Sequence, residues 1–157
     1  MADRQVTEIN FKTVPFNGLS LMDLHDMLKL RTDIFVVEQN CPYPEIDGKD
    51  PECLHTLGFT PSGALVAGAR IVPSGVIYDD VSIGRVVVRS DYRGQALGKR
   101  VMLHAMIFCK NTLKADTVKI AAQHYLEGFY NALGFETTSE IYPWDGIDHI
   151  DMVWKNS

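Results

Sequence analysis

Cysteine is scarce in this chain of 157 residues, and the few present do not pair up. Cys41, Cys53 and Cys109 are odd in number and contain no C-x-x-C, so a disulfide framework is not expected, and a reducing cytoplasm suits such usage. No stretch approaches the roughly 20 apolar residues that a membrane helix needs. The opening MADRQVTEIN is polar and lacks the hydrophobic centre of a secretion signal. Positive charge is also in deficit: 15 Lys and Arg against 20 Asp and Glu leave −5, which argues against nucleic acid or an anionic membrane as the main partner. Internal repeats, low-complexity tracts and linkers are missing. What remains is 46% apolar and 22% charged, long enough to bury one core, so a single domain spanning 1–157 is expected.

Hydrophobic periodicity then orders the elements. TEINFKTV alternates around Ile9 and Phe11 as a strand, and Pro15, Asn17 and Gly18 break it. Ser20 with Asp23 three residues on starts a helix that Leu21, Leu24, Leu28 and Arg31 to Phe35 continue, ending near Asn40 to Pro44. LHTLGFT and ALVAGARIV read as a hairpin, and VSIGRVVVRS as a central strand. A helix is predicted from Gln95 to about Leu113, with Leu97, Val101, Ala105 and Phe108 on one stripe. TVKIAA is a short buried strand. HYLEGFYNAL is a short helix capped by Gly134. FETTSEIY and IDHIDMVW form a hairpin around Trp144-Asp145-Gly146. The result is a mixed sheet with helices on its faces.

The stretch VVVRSDYRGQALGKRVM, residues 86–102, stands apart. A β-branched run passes through a basic, glycine-containing turn straight into an amphipathic helix, the arrangement that presents free backbone N–H groups to an anion. A P-loop fails, because three residues rather than four separate Gly94 from Gly98 and Lys99 is followed by Arg100, with no hydroxyl for magnesium. The dinucleotide fingerprint G-x-G-x-x-G is not present either. A plain strand–helix turn with solvated basic residues competes with the anion site on the loop alone.

Two motifs together go further. Arg93-x-x-Ala96-x-Gly98 resembles the acyl-CoA loop of the GNAT N-acetyltransferases, Arg/Gln-x-x-Gly-x-Gly/Ala. QHYLEGFYNALGF resembles the second signature of that family, matching it at Tyr130, Gly134 and Phe135, with Gln123 and Leu126 in place of Asn and Ala. The element order is similar over nearly the whole chain, and FVVEQNCPY, EIDGKD and DGIDHI resemble the small ElaA-like branch.

That resemblance implies an α+β GNAT fold, with a central mixed, mostly antiparallel twisted sheet and helices on both faces. It implies an N-acetyltransferase with acetyl-CoA as co-substrate, no metal, and direct attack by an amine in a ternary complex. The pyrophosphate would lie over Gly94, Gln95, Ala96, Leu97, Gly98 and Lys99, with charge from Arg93 and Lys99. Backbone groups of Val86, Val87 and Val88 would pair with the pantetheine where the sheet splays, and an N–H there would stabilise the oxyanion. Gln123 would reach the pantetheine arm. Tyr130 would donate to the leaving thiolate, against the blander reading of a packed aromatic beside Phe129. The acceptor would be a small-molecule or peptide amine, and pairing of C-terminal strands would make a homodimer. A CoA-binding module without turnover is the alternative.

The residue that takes the amine proton is less marked. Glu38, a carboxylate within the apolar run FVVEQ, is the first candidate; His124 and His149 are rivals. At Ala96 the added methyl is expected to be tolerated through a negative φ in the first helical turn. Glu45, Asp47, Asp50 and Glu52 read as a solvated acidic loop, or else as a lure for a cationic amine. Cys41, Cys53 and His55 lack the spacing and fourth ligand of a zinc site and read as two small buried residues and a strand residue; no oxyanion turn accompanies Cys41 as a nucleophile.

Overall fold

The computed structural model describes residues 8–156, so most of the polar N-terminal stretch and the first residue of the expected TEINFKTV strand lie outside it. The first strand, β1, is Asn10–Pro15. Ser20 caps α1 (Leu21–Thr32), its Oγ accepting the Asp23 N–H at 3.0 Å as the spacing predicted. The helix then widens into a π-helical segment, Asp33–Glu38, where Gln39 N–H reaches back five residues to the Ile34 carbonyl at 3.1 Å.

Strands β2 (Leu54–Phe59), β3 (Leu65–Val72) and β4 (Val81–Val88) follow as an antiparallel meander. β3 is buried at all its positions, because helices cover both faces of the sheet there. The chain continues through α2 (Leu97–Asn111), β5 (Thr117–Gln123) and α3 (Glu127–Ala132). Gly134, at φ 101°, takes the left-handed turn after α3 without a Cβ penalty. FETTSEIY is not one strand: β6 (Glu136–Thr137) and β7 (Tyr142–Trp144) both pair with β8 (Ile147–Lys155). Asp145 and Gly146 have φ of 51° and 76°, so a two-residue turn with both centres left-handed closes β7 onto β8.

The sheet order is β1-β2-β3-β4-β5-β8-β6, with β7 also on β8. Only β4 and β5 run parallel; the other pairings are antiparallel. This is the α+β architecture expected. On one face α2 buries Leu97, Val101, Met102, Ala105, Met106 and Cys109, while Phe108 of the expected stripe sits at the half-buried margin. On the other face Met27, Leu30 and Ile34 pack on Leu57, Leu65 and Val87. Burial of such side chains is worth about 1.5–3 kcal/mol each.

Two departures from regularity shape the site. Gly68 pairs with Val87 but Arg70 with Gly84, so Arg85 and Val86 together oppose the single residue Ala69. Arg85 takes a left-handed φ of 50°, making a β-bulge that reverses the facing of the strand beyond it: Ile83 joins the α2 core while Val87 joins the α1 core. Second, β4 and β5 pair only at Val81–Val118 and Ser82–Lys119. Beyond those pairs they diverge, so the β5-facing edge of β4 from Gly84 to Val88 has no strand partner among the described residues.

Candidate active site

The divergence opens a cleft of about 920 Å³. Its walls are the open edge of β4, the end of β5, the π-helical segment, and Phe129 and Tyr130 of α3. Trp144 and His149 of the C-terminal hairpin also line it. Contacts bridge it, among them Gln123 Nε2 donating to Gln39 Oε1 at 3.3 Å and Cys41 Sγ to the Asp145 carbonyl at 3.4 Å. Cys41 is therefore only half-buried, whereas Cys53 and Cys109 are buried as expected. No cluster of metal-ligating side chains is found among the described residues.

The basic turn borders the cleft through Arg93 and Gly98. α2 begins at Leu97, two residues later than predicted, and its first intrahelical bond runs from Arg100 N–H to the Ala96 carbonyl at 3.0 Å. The N–H groups of Leu97, Gly98 and Lys99 thus have no intrahelical acceptor. No acid stands in this first turn; Lys99 and Arg100 do, although cations at a helix N-terminus oppose its dipole. Gly98 lines the cleft, and a Cβ there would meet Phe129 at 3.6 Å, leaving the approach over the turn open. These donors and charges suit an anion.

Ala96 departs from expectation. It is the residue before α2 and takes φ 57°, ψ 26°, the left-handed region, because the turn after Arg93 uses two left-handed residues separated by Gln95: Gly94 at φ 84° and then Ala96. The methyl is therefore accommodated under strain, not through a negative φ. Ala96→Gly is expected to raise stability by about 1 kcal/mol. An unchanged or lower midpoint in chemical denaturation would show that the turn carries no such strain.

Glu38 also differs. The extra residue per turn of the π-helix carries its carboxylate out of the apolar run, and it pairs with Arg93 across the cleft, the two side chains 40% and 48% exposed. The two residues expected in separate roles are thus each other's partners. His124 lies off the cleft, 3.8 Å from Glu127.

Tyr130 is 7% exposed, its ring edge-on to Phe129 at 5.0 Å and to Phe135 at 6.0 Å. It lines the cleft, and its hydroxyl has no hydrogen-bond partner among the described residues. Burial, with a small addition from Tyr125, pushes its pKa up to about 12.

The acidic loop is solvated only in part: Glu52 and Asp47 are exposed, but Glu45 and Asp50 are not, and Asp47 is tied up by arginine. Glu45 and Asp50 are 5% and 4% exposed. Arg31 binds Glu45 at 2.7 Å and Asp50 at 2.9 Å, Arg70 binds Asp47 at 2.9 Å and Asp50 at 3.2 Å, and Arg85 binds Glu45 at 2.7 Å. Tyr43 donates to Glu45 at 2.6 Å, and His55, buried on β2, donates from Nε2 to the Asp50 carbonyl at 3.0 Å. Burial alone would raise the Asp47 carboxyl, but its hydrogen bonds to Arg70 and Lys49 N–H hold it at about 2. Asp50 is likewise held below its ordinary value against burial, by Arg31 and then Arg70. This balanced set of arginines and carboxylates pins the loop to α1, β3 and β4 and forms one wall of the cleft. The clue in the sequence was Arg70 inside an otherwise apolar strand.

A mixed sheet split between its two parallel strands, with a basic turn feeding a helix at the split, defines a class: the chain belongs to the acetyltransferase (GNAT) family, whose domain matches residues 60–156. Within it, the chain is similar to a UPF0039 protein of Schizosaccharomyces pombe, 38% identical over 94% of this chain and 97% of that one. Among solved structures it is similar to Escherichia coli ElaA, with 37% identity, TM-score 0.87 and coverage of 94% and 100%. An acyl-CoA N-acyltransferase from Pseudomonas aeruginosa gives 35% identity, TM-score 0.87 and coverage of 94% and 99%.

Proposed function

We propose that this protein is an N-acetyltransferase that carries the acetyl group of acetyl-CoA to a primary amine by direct attack within a ternary complex. One observation carries the reading: the amides of Leu97, Gly98 and Lys99, without an intrahelical acceptor and in a helical turn with basic residues and no acid, stand beside the gap where β4 leaves β5. A cationic helix start beside an unpaired strand edge has a physical purpose if a diphosphate offsets the charge and an extended arm completes the strand. Val86 to Val88 would supply the backbone pairing, Gln123 a side-chain amide near the arm, and Gly94 to Lys99 the phosphate cradle. The bulge at Arg85 frees backbone groups beside it to stabilise the oxyanion as the carbonyl is attacked.

Tyr130 would face the departing sulfur. A thiol loses its proton near pH 8.5, far below the value of about 12 for this phenol, so Tyr130 stays protonated throughout the working range. Its contribution is a hydrogen bond that strengthens as charge builds on sulfur; complete transfer would be uphill. Glu38 enters as the counter-ion of Arg93, which a diphosphate would have to draw away.

The test is calorimetry with acetyl-CoA together with thiol release in the presence of amines. Arg93→Ala with Lys99→Ala should weaken acetyl-CoA binding by about tenfold at low salt, and the difference should shrink as salt rises. Unchanged affinity would remove the loop from its role. Tight binding with no thiol release for any acceptor would instead favour a CoA-binding module.

A further inference from the structure

Resting on the transferase reading, we infer that His149 is the group that takes the proton from the attacking amine. Its tautomer is fixed. Nδ1 lies 2.8 Å from the Ile147 carbonyl, which can only accept, so Nδ1 carries the hydrogen and in the neutral ring the lone pair sits on Nε2. No group among the described residues hydrogen-bonds Nε2, and the half-buried ring lines the same cleft as Tyr130 and the open edge of β4.

The ring is also held in place. His149 sits opposite Gln123 of β5 and Tyr142 of β7. Tyr142 stacks on it at 6.1 Å, Trp144 packs at 5.3 Å, and the Tyr142 hydroxyl is tied to Asp151 at 2.5 Å. Two of the carboxylates that line the cleft are engaged, Glu38 with Arg93 and Asp47 with both terminal nitrogens of Arg70. Asp145 lies exposed at the tip of the hairpin turn.

The step balances. The nitrogen lone pair forms the C–N bond as the carbonyl becomes an oxyanion, and the nitrogen then loses one proton to His149 Nε2. Collapse breaks the C–S bond, with its electron pair leaving on sulfur under the Tyr130 hydrogen bond. The thiolate takes a proton from water, and His149 gives its own to the hydroxide so formed, leaving one amide, one thiol and the neutral imidazole.

The experiment uses the full chain, acetyl-CoA, and benzylamine, butylamine, spermidine and a peptide with a free N-terminus as acceptors. It compares wild type with His149→Ala and with His149→Phe, which keeps the aromatic stack. Both variants should bind acetyl-CoA as wild type does and lose roughly 10²-fold in kcat, and added imidazole should restore part of the rate to His149→Ala alone. Variants within about threefold of wild-type kcat, or a loss that imidazole does not relieve, would overturn the assignment while leaving the transferase reading intact. Wild type that binds acetyl-CoA yet releases no thiol with these amines would sink the transferase reading and His149 with it.

Discussion

Tyr130→Phe is expected to cut the rate of thiol release by about 10²-fold while leaving acetyl-CoA affinity within about twofold. The asymmetry follows from where the hydroxyl sits. The ring is packed between Phe129 and Phe135, and phenylalanine keeps those contacts. The hydroxyl alone is lost, and it has no partner among the described residues to leave stranded. A group that hydrogen-bonds only a developing thiolate stabilises the transition state and not the bound ground state, so kcat falls and binding persists. A parallel loss of affinity and rate would mean that Tyr130 acts by shaping the cleft.

The second large effect concerns stability. Arg31→Met should destabilise the protein by about 3–5 kcal/mol, because it leaves the buried Glu45 and Asp50 short of a partner. For a chain of this size that corresponds to a fall in Tm of roughly 6–20 °C. Arg31 does not itself line the large cleft, so stability is read directly by the shift in Tm measured without ligand. A shift below about 2 °C would show that the network is worth little net energy. The same carboxylates set an acid limit. Asp47 and Asp50 have folded pKa values below the roughly 3.9 of an unfolded aspartate, so the unfolded chain takes up their protons first. Their stabilisation is complete above about pH 4 and drains as pH falls towards 2, which urea midpoints across that range would follow.

Much of the architecture was readable because local rules agreed with the global fold. Ser20 capped its helix, Asp-Gly closed the last hairpin, and Gly134 ended α3. The family motifs located the turn at Arg93 and the tyrosine at 130. Three features escaped for physical reasons. The apolar run FVVEQ set Glu38 among apolar neighbours in sequence, whereas the π-helical segment turns its carboxylate onto Arg93. The bulge at Arg85 is invisible in composition, since a left-handed arginine leaves no mark in the sequence. The acidic loop read as solvated because its arginine partners come from α1, β3 and β4, distant in sequence. Arg31, at a position on the apolar stripe of α1, and Arg70, amid β3, were the available signals.

The most direct test is a crystal structure with coenzyme A bound. The diphosphate should lie on the N–H groups between Gln95 and Lys99, with Arg93 released from Glu38. The pantetheine arm should run along Val86 to Val88, and its sulfur should end beside the Tyr130 hydroxyl and on the His149 side of the split. Coenzyme A bound at any other place, or β4 and β5 zipped together with the ligand outside them, would contradict the account.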